Sequence, residues 1–189
     1  IIGGGAKPAE RVLVYDDLGG FQGMTAAEMI AESGLMLELV SPERFFAPEM
    51  GGMNHVPFMK TFHEKGVRIT INTRLTGVRR DGNELVATLT SDFADGWREE
   101  RRVDQVVVEH GTIPLDDLYF DLKPLSKNRG ETHYGNLVNG GEVFPLKDTD
   151  AAFILYRIGD AVASRNIHAA IYDALRFGIG ALDQPHGRP

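Results

Sequence analysis

Cysteine is absent from the 189-residue chain. That absence excludes disulfides, thiol redox chemistry, iron–sulfur ligation and any zinc site built on thiolates. No apolar run approaches the roughly 18 residues of a membrane-spanning helix, and no signal-peptide pattern opens the chain. Positive charge is in deficit: 20 Lys and Arg stand against 27 Asp and Glu, for a net charge of −7. Nucleic acid and anionic membrane surfaces need clustered cations, so neither is an expected partner. His55, His63, His110, His133, His168 and His186 show no metal-ligand spacing. His55 and His63 lie on one predicted helix, roughly 12 Å apart along its axis, too far for a single ion. No metal site and no catalytic residue is therefore expected. A cytoplasmic location is the simplest reading.

What is present is ordinary for a folded chain, with 42% hydrophobic and 25% charged residues, enough for one sizeable domain or a domain with an appendage. Residues 11–40 organise the rest. Val12, Leu13, Val14 and Tyr15 form an apolar run with β propensity, the pattern of a parallel strand buried on both faces. Gly19, Gly20 and Gly23 punctuate a turn. Residues 24–31 are strong helix formers with Met24, Ala27, Ile30 and Ala31 on one face. Gly34 stops that helix, and 35–40 returns as a strand. A strand, helix and parallel strand within about thirty residues is the unit that opens a dinucleotide-binding fold. Gly3, Gly4 and Gly5 do not belong to such a motif. Its third glycine would fall on Pro8, so the first ten residues read as a loop with the look of a truncation.

Farther on, a second amphipathic helix is expected over 54–65, capped by Gly66, and a third parallel strand over 67–71. Residues 75–80, 84–91 and 97–103 alternate polar and apolar side chains around two tight turns, an antiparallel meander. Residues 104–109 form another buried strand, closed by His110 and Gly111. Residues 112–150 read as a long irregular segment, with short helical turns near 116–122, of a kind that lies against another domain. A strand over 152–158, a turn at Gly159 and Asp160, and a helix over 166–177 complete the chain. The expected fold is α/β: a Rossmann-like three-layer ββα domain of FAD/NAD(P)-binding type, with a parallel sheet and a meander. Its expected divisions are 1–111, a connecting segment 112–150, and a strand–helix return 151–189.

The glycine turn is the first candidate cofactor site. With Gly23 as third glycine and Gly20 as second, the first falls on Leu18, so the motif is broken at its tightest position. Asp16 and Asp17 sit where phosphates would approach, and like charge opposes binding. Gly20 and Gly23 nevertheless permit close backbone contact. Retained NAD(P) binding and a structural relic both stand, with the relic preferred. At the end of the second strand, where an acid contacts a ribose in NAD users, stand Ser41 and Glu43. Arg44 is able to meet a 2′-phosphate. Ser-Pro also reads as a plain turn.

The order of elements, Val12-Leu-Val-Tyr-Asp-Asp17 with its glycine turn, Val108-Glu-His-Gly-Thr-Ile-Pro114, and the stretch from Arg157 through Gly159-Asp160 to Leu175 carry a resemblance. They resemble the C-terminal nucleotide-binding region of the trimethylamine dehydrogenase and 2,4-dienoyl-CoA reductase group of Old Yellow Enzyme-like flavoproteins. They are most similar to its N-methylproline and dimethylglycine demethylase branch. The resemblance implies a parent with a (β/α)8 barrel carrying FMN and a 4Fe–4S cluster, neither of which this chain can supply. It implies that the chain is a fragment of an amine demethylase or dehydrogenase, and that the barrel domain is its partner. Gly111 matches the glycine of an Ala-Thr-Gly signature, although Glu109 and His110 replace the first two residues. Gly159 and Asp160 match the turn that faces a flavin or ADP in the adjacent nucleotide domain, so NAD(P) or ADP are the cofactors implied in this region. Because the opening strand of that domain is missing, residues 151–180 are expected to be loosely held and to mediate self-association.

Overall fold

A computed structural model describes residues 3–182; His186 and the end of the expected 151–189 return lie outside them. Two compact units meet between Gly111 and Thr112.

In the first unit, β1 (Arg11–Asp16), α1 (Phe21–Glu32), β2 (Met36–Val40), α2 (Gly52–Glu64) and β3 (Arg68–Thr70) run in order. The meander follows as β4 (Arg74–Asp81), β5 (Glu84–Thr90) and β6 (Arg98–Val103), and β7 (Gln105–Glu109) closes the unit. Strands β3-β2-β1-β7 form a parallel sheet, with Tyr15 opposite Val40 on one side and Val108 on the other. Strands β4-β5-β6 form a separate antiparallel sheet. The alternation of β1 divides the core between them. Val12 and Val14 pack with Met24, Ala27, Ile30 and Phe62 from the helices. Leu13 and Tyr15 face Ala87, Leu89 and Val103 of the meander. That is the three-layer arrangement: helices, parallel sheet, meander. The helix α1 begins three residues earlier than its propensity suggests, at Phe21, because the glycine turn itself leads into the first helical turn.

The second unit contains α3 (Asp117–Leu122), a 3₁₀ turn (Lys123–Leu125), α4 (Tyr134–Asn139), a second 3₁₀ turn (Gly159–Ala161) and α5 (Ile167–Leu182). The expected strand over 152–158 does not form; these residues pair with no strand. A parallel strand needs a neighbour, and a buried asparagine takes that part here. Asn128 is fully buried. Its Nδ2 donates to the carbonyls of Leu155 (2.7 Å) and Glu131 (2.8 Å), and its Oδ1 accepts the Leu155 N–H (2.9 Å). The Lys127 N–H donates to the Phe153 carbonyl at 2.8 Å. Tyr156 stacks between Phe144 and Phe177, with centroids at 5.1 and 5.3 Å. Residues 153–156 of the segment expected to be loosely held are thus bonded and stacked within the second unit, while Ile167, Ile171 and Leu175 stay exposed. Among the described residues no helix is long and apolar enough to cross a membrane.

Candidate functional site

Dinucleotides bind this architecture outside the carboxyl ends of the parallel strands, with the pyrophosphate on the N–H groups of the first turn and helix. At that place β1 ends in Asp16, which is fully buried. Its Oδ1 accepts the N–H groups of Leu18 (3.0 Å) and Gly19 (2.8 Å). Its Oδ2 is buried with no hydrogen-bond partner. That oxygen lies against Gly23 in the first turn of α1, where an added Cβ would come within 2.5 Å of it and 3.1 Å of the Asp16 Cβ. Gly23 is thus obligatory, and the group filling the space it leaves is the chain's own carboxylate.

Two neighbouring gaps are filled in the same way. Gly19, with φ of +74°, supplies the tight turn expected of position 18, and its missing Cβ makes room for the Pro48 ring, 2.4 Å from where that atom would be. Leu18 lies over Gly111, where an added Cβ would meet Leu18 Cδ1 at 3.3 Å. The Gly111 N–H donates to Glu109 Oε1 at 2.7 Å. Gly20, the extended N-terminal flank of α1, is open except for the flexible end of Gln22.

Electrostatics reinforces the closure. Burial pushes the Asp16 carboxyl above the usual carboxylate range, and Glu109 and Asp17 add to the rise, while the Gly19 and Leu18 N–H groups oppose it. Glu109 is the register partner of Asp16 on β7. Asp17 Oδ2 lies 2.8 Å from His110 Nδ1, and the His110 ring meets Tyr15 edge-on at 5.7 Å. Two N–H groups of the turn are thus taken by Asp16, the space over Gly23 holds its carboxyl group, and Asp17 and Glu109 stand beside it.

At the end of β2, Ser41 is buried in local bonds: its N–H donates to the Thr70 carbonyl, its carbonyl accepts from Thr73, and its Oγ accepts from the Glu43 N–H. Arg44 is exposed. Neither Ser41 nor Arg44 lines either of the two recesses at Arg11 and at Asp160. A recess of about 460 Å³ lies instead at the opposite, amino end of the parallel strands, around Arg11, Met36 and Gly66.

In the second unit, Gly159 is buried with φ of +57°, and an added Cβ would meet Ala170 Cβ at 3.2 Å. Its N–H donates to Asp173 Oδ2 (3.0 Å), which also accepts from Arg165. Burial works to raise the Asp173 carboxyl, but Arg165 and the Gly159 N–H outweigh it and hold it below the usual range. Asp160 is exposed and borders a recess of about 250 Å³ with Thr112, Leu115 and Ser164. Asn166 Oδ1 accepts the Ala169 N–H at 2.9 Å, capping α5. Among the described residues no group of three or more His, Cys, Asp or Glu side chains could hold a metal ion.

The sequence reading treated Asp16 as a repelling charge and missed it as a buried occupant. The available signal was an acid ending a fully apolar strand, seven residues before a glycine in the first helical turn. Asn128 and Asp173 carried no comparable signal.

No protein-family model matches the chain. It is 49% identical over 177 residues to the probable N-methylproline demethylase of Rhizobium meliloti (strain 1021), covering 94% of this chain and 26% of that protein. It is 39% identical over 181 residues to the N,N-dimethylglycine/sarcosine dehydrogenase of Chromohalobacter salexigens, with 94% and 26% covered. Among solved structures, histamine dehydrogenase from Rhizobium sp. 4-9 superposes with a TM-score of 0.61 at 24% identity, over 96% of this chain and 24% of that one. The HOCl-induced flavoprotein disulfide reductase of Escherichia coli shares the fold at a TM-score of 0.55 and 18% identity, over 93% and 37%. The chain thus spans about a quarter of the length of the curated relatives it matches.

Proposed function

From its 49% and 39% identity to an N-methylproline demethylase and an N,N-dimethylglycine/sarcosine dehydrogenase, of each of which it spans 26%, we propose that this chain belongs to their group and serves there as a nucleotide-binding-type region with its own dinucleotide site closed. Its parent, on this reading, is a cytoplasmic flavin-dependent oxidoreductase acting on an N-methylated amine. FMN and a 4Fe–4S cluster belong to the remainder of that parent, since this chain has no cysteine to ligate iron. The first unit is a scaffold that keeps the architecture of NAD(P) binding. Residues from 151 onward belong to the adjacent nucleotide domain, where Gly159 and Asp160 form part of a site for ADP or a flavin.

The observation that carries this reading is the Asp16 carboxylate accepting the Leu18 and Gly19 N–H groups. Calorimetric titration of the purified chain with NADH, NADPH and ADP tests it. No saturable heat is expected with either pyridine nucleotide. Stoichiometric binding of NADPH would instead make the chain a working NAD(P)H module of an enoyl-reductase-like enzyme.

A role in assembly is favoured by a separate observation. Ile113, Leu115 and Ile167 are 91%, 95% and 74% exposed, and large apolar side chains left this open are suited to an association surface. In the parent, the remaining polypeptide, including the barrel domain, covers it. In the isolated chain, a second copy does so through residues 151–180.

A further inference from the structure

We propose that Asp16 is an internal ligand that closes a latent dinucleotide site, and that removing this side chain restores part of the turn's affinity for a pyrophosphate. The inference rests on the closed-site reading above and goes further, by naming a residue whose removal restores part of the binding.

The parts of a pyrophosphate cradle are present. β1 leads through a glycine turn into α1, a 12-residue helix whose N-terminus has no side-chain cap. Uncapped first-turn N–H groups and the helix dipole favour an anion. Gly20 is open to approach, and Gly23 provides the close contact a phosphate oxygen would use. What occupies the cradle is an anion already. Asp16 Oδ1 takes the turn N–H groups of Leu18 and Gly19. Asp16 Oδ2 points at Gly23 and takes nothing. The donors that Oδ1 takes are those of the turn itself, and the space that Oδ2 fills is the one the missing Gly23 Cβ leaves. One oxygen bonded to the turn and the other idle over the helix is the pose of a carboxylate imitating a larger anion.

Replacing Asp16 by glycine frees both N–H groups, opens the space over Gly23 and removes one like charge. Asp17 is left, held by His110 at 2.8 Å, as are Leu18 over Gly111 and Pro48 over Gly19, so recovery is partial. The expected gain in affinity for NADH or NADPH is about tenfold or more, the range that the dipole and released donors supply.

The test compares wild type, Asp16→Gly and Asp16→Ser, as the full chain, by calorimetric titration with NADH and NADPH, with circular dichroism melts to establish folding. Tighter binding by either folded variant, with the wild type weak or silent, is the expected result. Folded variants that bind no better than the wild type would overturn the proposal and leave the closed-site reading standing. A wild type that binds as tightly as the variants would overturn both. Failure of both variants to fold also counts against it, since Asp16 would then be a structural residue and not a removable plug.

Discussion

Asp16 and Gly23 act as one unit, because the carboxylate occupies the volume that a Cβ at position 23 would claim. Gly23→Ala forces the buried acid to move and should cost about 1–3 kcal/mol of stability by overpacking. The same substitution made in an Asp16→Gly background should cost much less. A double-mutant cycle from denaturant melts measures the coupling, and simple additivity would contradict the contact. Gly20→Ala meets only the movable end of Gln22 and should stay within about 0.5 kcal/mol of the wild type. Asp16 also sets a pH dependence. An unfolded aspartate titrates near about 3.9, and burial holds this one higher in the folded chain. Its folding contribution is therefore full at pH below the unfolded value and is lost as pH rises through the folded value. Asp16→Asn keeps an acceptor for Leu18 and Gly19 but carries no charge. Its melting temperature should gain on that of the wild type as pH rises above about 4. A constant difference across that range would show that Asp16 carries no buried charge.

At the scale of elements, the βαβ unit and the meander were legible because their signals are local. The apolar run 12–15 faces two cores and so lacks alternation, while in the meander Ala87, Leu89 and Val103 supply the side chains that meet Leu13 and Tyr15. The segment 152–158 misled for an equally physical reason. Its composition has β propensity, yet pairing depends on a neighbour that no local pattern encodes, and the neighbour turned out to be the side chain of Asn128. Likewise the glycine spacing revealed a dinucleotide-type turn but not what fills it. Side-chain occupancy is a tertiary fact: Leu18 over Gly111 and Pro48 over Gly19 join residues far apart in sequence. Asn128→Ala removes three hydrogen bonds and leaves the Leu155 N–H and carbonyl without that partner. It should destabilise the second unit by about 2–4 kcal/mol and speed hydrogen exchange at the Leu155 amide, while amides of β1 keep their protection. Unchanged exchange at Leu155 would mean that the segment is held by its aromatic stack alone.

For the whole molecule, an architecture of dinucleotide-binding type is kept, and we propose that its own binding site is closed. The kept architecture explains why distant flavoproteins superpose on nearly the full chain at low identity. Ile171 and Leu175 on α5 are both more than half exposed, so Ile171→Glu and Leu175→Glu together should shift the isolated chain towards monomer in light scattering without lowering its melting temperature. An unchanged mass would remove α5 from the association surface. The closure of the dinucleotide site is tested most directly by following the backbone amide resonances of Leu18, Gly19 and Gly23 during a titration of the wild-type chain with NADPH. With Asp16 in place, these three signals should hold their positions up to saturating nucleotide. Saturable shifts in the Leu18 and Gly19 amides would contradict the account, because they would mean that a phosphate reaches the donors that Asp16 is described as holding.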